Sequence, residues 1–196
     1  MQQMNEITTY FEFVRPSYNN RDAGHDLRHI ARIIERLDDL SVGCHPAPTR
    51  HLLFFLAAFH GLGEKLQEDS DFRQLTEDFL RQLGWKSDEI PGAFVALQRH
   101  LSAPETTEEM IVHDANFFEV TGPFGIAKAF TVGGHFNQTY ERTLEIFEEN
   151  VEKLVFRTPV GRSAYHNRKD YARAFIVELR EELKLKRFDE NLSLAE

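Results

Sequence analysis

The chain has very little cysteine: one residue, Cys44, in 196. It cannot form an internal disulfide, and a reducing cytosol is the expected compartment. Basic charge is also short. With 23 Lys and Arg against 32 Asp and Glu, the formal net charge is −9, which argues against a general nucleic-acid binder because neutralising phosphates needs a basic surface. An anionic small molecule meets only its local pocket and is not excluded. Long hydrophobic runs are missing, since the longest, Leu52 to Phe59, is far below the ~20 residues that cross a membrane. The N-terminus has no basic region followed by an apolar stretch and a cleavage site. No Gly-rich phosphate loop is present either, because Gly61-Leu62-Gly63 and Gly133-Gly134 lack the strand context such a loop requires. A soluble cytoplasmic protein with no nucleic-acid or membrane partner is expected.

The sequence does contain an ordinary globular composition, 41% hydrophobic and 28% charged, with a heavy load of 17 Phe. That length and composition suit one domain over residues 1–196, with a core built largely from rings. The Phe content would also allow a homo-oligomer through the C-terminal helices. Apolar residues recur at helical spacing nearly throughout, as in Leu27, Ile30, Ile33, Ile34, Leu37 and Leu40, so the chain reads as all-α. Asp26 or His25 lies near the start of that helix. Pro48 is expected to open the next one, and its all-apolar stretch Leu52–Phe59 marks a central buried helix. Further helices are expected around Phe72–Leu80, from Ser87 to about Leu101, and from Thr106 or Thr107 through Asp114. A short helix is expected around Ile126–Val132, followed by two longer ones with stripes Tyr140–Leu154 and Tyr171–Leu183. Only Ile7–Val14 is rich in β-branched and aromatic residues, and its context favours helix.

One carboxylate sits where a carboxylate is expensive. Asp114 shares a helix face with Met110, Ile111, Phe117 and Phe118, because residues three and four apart are neighbours. Burying it unpaired costs several kcal/mol, so a partner is required. His29 and His60 lie on or beside apolar helix faces of their own. Two imidazoles and a carboxylate converging in a core would make a divalent-metal site. Each residue also has a structural role open to it. His29 can be a hydrogen-bonded core residue, His60 a ring at a helix C-terminus, and Asp114 the partner of an arginine.

The order and setting of these residues resemble the HD-domain metal-dependent phosphohydrolase superfamily, in its small single-domain bacterial branch, from about residue 20 to residue 183. Gly24-His25-Asp26-Leu27-Arg28-His29 is similar to the first motif, Ala57-Ala58-Phe59-His60 to the second and Ile111-Val112-His113-Asp114-Ala115-Asn116 to the third. Gly122-Pro123-Phe124-Gly125-Ile126-Ala127-Lys128-Ala129-Phe130 matches a stretch that follows the third motif in this branch. The segment at His100-Leu101-Ser102 is similar to one that contributes to the same pocket. The resemblance implies an HD-domain helical bundle, a divalent metal (Mn, Mg, Zn, Fe or Co) on His29, His60 and Asp114, and His100 as a catalytic group that moves protons or steadies charge.

The departures are pointed. Gly61 stands where the superfamily's defining Asp belongs, which removes an anionic oxygen ligand and with it affinity for hard cations. Asn116 and Phe117 replace the acidic and basic residues usual after the third motif. Glu64, His100 or His113 are the candidates to supply a substitute ligand. His113, adjoining Asp114 and pointing about 100° away on an ideal helix, is the least suited. Two functions are therefore expected to compete. One is a metal-dependent phosphohydrolase acting on a small phosphorylated substrate, a phosphate ester or nucleotide, with Arg28, Arg32 or Lys128 as clamp candidates. The other is a catalytically degenerate HD fold that binds a small ligand or partner. An iron-dependent oxygenase is a weaker third, because paired irons need more ligands than this chain offers.

Overall fold

The computed structural model describes residues 2–19 and 21–192, with side chains over 6–19 and 21–184; residue 20, where the resemblance begins, lies outside them. The fold is all-α. Among the described residues the elements are α1 (Gln2–Val14), a 3-10 turn (Arg15–Tyr18), α2 (Leu27–Glu35), α3 (Leu37–Ser41), α4 (Arg50–Ala58), α5 (Gly63–Glu68), α6 (Ser70–Gln82), α7 (Ile90–Arg99), α8 (Thr107–Phe117), α9 (Gly122–His135), α10 (Tyr140–Lys153) and α11 (Pro159–Leu192). Where the sequence reads as one domain, the contacts divide into two compact units. The first is Met1–Asn116 with Arg157–Gly161, the second Phe117–Phe156 with Arg162–Glu196.

In the first unit α4 is central and packs against α1, α2 and α7. Its residues Leu53 to Ala58 are all buried, as their unbroken apolarity requires. The β-branched stretch Ile7–Val14 is helical and belongs to α1; Tyr10 and Val14, four apart, are both fully buried. The ring-built core is present: Phe13 stacks on Phe79 at 4.0 Å and lies 5.8 Å from Phe59, and Phe55 packs 4.7 Å from Phe59. Trp85 closes this cluster by donating its indole N–H to the Tyr10 hydroxyl at 2.8 Å.

Helix starts follow local chemistry. Asp26 caps α2, its carboxylate accepting from the backbone N–H of Arg28 at 2.9 Å and of His29 at 3.1 Å, which fixes the first turn on which His29 sits. Helix α4 begins at Arg50 rather than at Pro48, because the Thr49 N–H donates outward to Glu108 at 2.5 Å. Ser87 does not cap α7. That helix begins at Ile90 with Pro91 in its first turn, and Glu89 turns back to accept the Lys86 N–H at 3.0 Å.

In the second unit α9 and α10 pack together. Leu144, Phe147, Val151, Ala172, Ile176 and Leu183 form the core. Helix α9 is longer than the Ile126–Val132 expectation, since Gly122 turns the chain at φ +69°, a conformation that favours glycine. A Cβ on Gly125 would lie 2.4 Å from the Val120 carbonyl carbon, so only hydrogen fits. The distinctive Gly122–Phe130 stretch thus has a packing reason.

Candidate functional site

The first unit gathers three of the four residues singled out in the sequence. His29 projects from the capped first turn of α2, His60 follows the end of α4 and His100 follows α7. Their rings form a row: His29 to His60 is 5.3 Å between centroids and His60 to His100 is 5.1 Å, both edge-on. All three are buried, at 1%, 6% and 3% exposure. His25, half-exposed at the outer end, lies 6.0 Å from His29 and donates Nδ1–H to Asp22 at 2.9 Å.

The protonation of the inner rings follows from their bonds. His100 Nδ1 lies 2.7 Å from the Leu97 carbonyl oxygen, which can only accept, so Nδ1 carries the hydrogen. Burial pushes the His100 imidazole down to about 4, and at neutral pH the ring is uncharged with a bare Nε2. That nitrogen is 2.9 Å from His60 Nδ1, so His60 Nδ1 donates. The relay Leu97–His100–His60 thus sets the tautomer of His60. His100 orients a neighbouring ring, as outer partners of ligating histidines do. Tyr18 braces the same segment, donating to the His60 carbonyl at 2.5 Å and the Ala58 carbonyl at 3.1 Å; burial raises its hydroxyl well above the ordinary range, so it remains a donor.

Asp114 is occupied otherwise. It is fully buried, and its Oδ1 accepts from His113 Nδ1 at 2.9 Å and the Arg157 N–H at 2.9 Å. Its Oδ2 accepts from the Arg157 N–H at 3.0 Å and from the Thr158 N–H and hydroxyl, each at 2.7 Å. The carboxylate fixes Arg157 and Thr158 just before α11, and the Thr158 hydroxyl in turn accepts the Gly161 N–H at 3.0 Å in that helix's first turn. The partner the sequence demanded is Arg157, through its backbone rather than its guanidinium. His113, expected to point away, reaches Oδ1. Of the three substitute ligands considered, only His100 joins the histidine pair, while Glu64 lies exposed in the first turn of α5.

Gly61 is held at φ +83°, and a Cβ there would lie 3.0 Å from Arg21 Nη1. Arg21 also donates Nη2 to the Gly61 carbonyl at 2.9 Å and covers the Tyr18 ring at 4.9 Å. Where the resemblance implies a carboxylate, this chain has a guanidinium. Arg21 escaped sequence reading because nothing in the spacing of residues 18–21 links it to position 61, 40 residues away. Lys128, a clamp candidate, pairs with the buried Glu119 at 3.3 Å in the second unit.

The donor set does not fit the three-ligand metal site that the resemblance implies. Among the described residues no three His, Cys, Asp or Glu side chains are grouped to hold an ion. Both Asp114 oxygens, with about four lone-pair sites between them, already serve five contacts. The remaining donors are nitrogens, while Mg and Mn favour oxygen.

No family model and no curated protein matches the chain. Solved structures do. The Lin1889 protein of Listeria innocua is 22% identical with a TM-score of 0.70, covering 94% of this chain and 98% of its own. A Lactobacillus plantarum protein is 16% identical at a TM-score of 0.73, covering 92% and 98%. Bacillus subtilis YpgQ, crystallised in complex with ADP, is 17% identical at a TM-score of 0.68, covering 93% and 97%. At these identities the likeness shows a shared fold.

Proposed function

We propose that this chain is a catalytically degenerate HD-type protein that binds a small ligand without hydrolysing it. The carrying observation is the saturation of Asp114 by the Arg157 and Thr158 amides just before α11, together with a guanidinium in place of a carboxylate at Gly61. A metal-dependent phosphohydrolase needs a cation that polarises a phosphoryl oxygen and activates water. Here the third-motif acid, Asp114, holds the segment before α11, and the second motif carries no acid at Gly61. The ligand class to test first is a nucleotide, because a protein of the same fold, Bacillus subtilis YpgQ, has been crystallised in complex with ADP.

The phosphohydrolase remains the second reading, favoured by the adjacency of His29 and His60 and by the His100 ring that orients His60. Nucleoside mono-, di- and triphosphates, screened with protein supplied with Mg, Mn, Co, Zn or Fe, separate the two. The proposal expects no turnover above that of a His29→Ala, His60→Ala double variant. Metal-dependent turnover that the double variant lacks would establish the hydrolase instead.

A further inference from the structure

Arg21 differs from Arg15, Arg50, Arg73, Arg81 and Arg99 in what holds it, since each of those five pairs with an acid. Arg15 pairs with Glu12, Arg50 with Asp38, Arg81 with Glu77 and Asp78, and Arg99 with Glu105 and Glu109. In a chain of net charge −9, acids are plentiful, yet the contacts of the Arg21 side chain are a backbone carbonyl and a ring face. Among the described residues it meets no carboxylate at ion-pair distance. It is nonetheless fixed in position: Gly61 O takes one N–H, and Tyr18, itself anchored on His60 and Ala58, supports its plane. Its exposed guanidinium retains further N–H donors in the planar fork that suits phosphate oxygens.

Position 61 decides what this place attracts. With no side chain there, Nη1 stands 3.0 Å from where a Cβ would begin. It adjoins His60, which is next in the row to His29. A carboxylate at that point would draw a cation toward the imidazoles; the guanidinium draws an anion. We infer that Arg21, beside the His29–His60 row, binds the phosphate group of a small phosphorylated ligand directly, with no bridging metal. This rests on the non-hydrolytic reading and names the chemistry of its ligand. The phosphate contact is a charge-assisted fork to Arg21, beside the buried rings.

The test is calorimetric titration of the full chain with ADP, pyrophosphate, inorganic phosphate and adenosine, all in excess EDTA. Parent protein should bind ADP saturably, more tightly than adenosine, with affinity that falls as salt rises. Arg21→Gln should weaken ADP by about tenfold or more, and Arg21→Lys should recover part of that loss, since a point charge remains but the fork does not. Arg142→Gln, which removes the same charge from an exposed pair with Glu145, should bind as the parent does. Circular dichroism and thermal melting without ligand check that Arg21→Gln is folded, as its exposure predicts. ADP binding equal in Arg21→Gln and parent overturns the inference. So does binding by the parent only when Mn replaces EDTA, or no binding of any phosphorylated probe. Failure of the underlying reading is separate: it is metal-dependent turnover that His29→Ala and His60→Ala abolish.

Discussion

Two places in the first unit handle polar burial in opposite ways. At the histidine row, three imidazoles face one another and finish on a backbone carbonyl, so the polar atoms there are ring nitrogens. A short way along the chain, α8 buries three acids, each neutralised by positive or dipolar groups; Glu108 takes the Thr49 N–H at 2.5 Å. Asp114 takes the amides of Arg157 and Thr158, and Glu109 takes the Arg99 guanidinium at 2.8 Å with the Glu105 N–H at 2.8 Å. The buried imidazoles and carboxylates are thereby largely segregated, with His113 joining the acid side and the half-exposed His25 paired with Asp22 at the row's outer end. A hard cation needs anionic oxygens beside its nitrogens, and this segregation withholds them. A buried acid near a metal-like motif can therefore be a helix anchor.

The largest expected effect comes from removing that anchor. Asp114→Ala leaves the Arg157 N–H and the Thr158 N–H and hydroxyl unsatisfied and should lower unfolding free energy by roughly 3 kcal/mol or more, read by urea denaturation. An unchanged midpoint would mean that the amides find water and that Asp114 is free for other use.

Acidification probes the opposite side of the comparison. His100 titrates near 4 in the folded chain against an ordinary value of 6.5. The unfolded chain thus takes its proton first as pH falls. Stability is full above about 6.5, declines between 6.5 and 4, and loses nothing further to this group below 4. The whole loss is ~3 kcal/mol. Parent and His100→Gln stability curves should converge at low pH as the parent's loss is removed in the variant; parallel curves would show that His100 is not held neutral by burial.

The smallest effect sharpens the account of position 61. Gly61→Ala should cost about 1–2 kcal/mol through its left-handed backbone, with Arg21 displaced slightly. Gly61→Asp should carry the same cost and gain no Mn affinity, because its carboxylate meets Arg21 first. Restored Mn binding in Gly61→Asp would show that one missing acid, rather than segregation, disables the site.

Much of the fold could be read from the sequence because helical spacing is local. The Asp26 cap and the all-buried α4 are each set by residues within two turns, while the Leu27–Leu40 stripe, read as one helix, is split at Arg36 into α2 and α3. The histidine row was partly legible: His29, His60 and His100 were singled out, and they meet. What Asp114 touches was not, because its partners lie 43 and 44 residues onward and act through backbone amides, which any residue supplies. Arg21 was hidden for a related reason. Its contact is a carbonyl at a glycine, and the sequence shows only a missing acid, not the guanidinium standing there. The length of α9 was missed because Gly122 and Gly125 read as breakers, whereas their role is close approach to neighbouring backbone.

The measurement that tests the segregation most directly is Mn(II) electron paramagnetic resonance on metal-free protein, titrated at neutral pH beside a His29→Ala variant. The account predicts that parent and variant leave the aqueous Mn signal equally undiminished. One equivalent of Mn lost from that signal in the parent and restored in His29→Ala would contradict it, and would return the histidine row to metal-dependent chemistry.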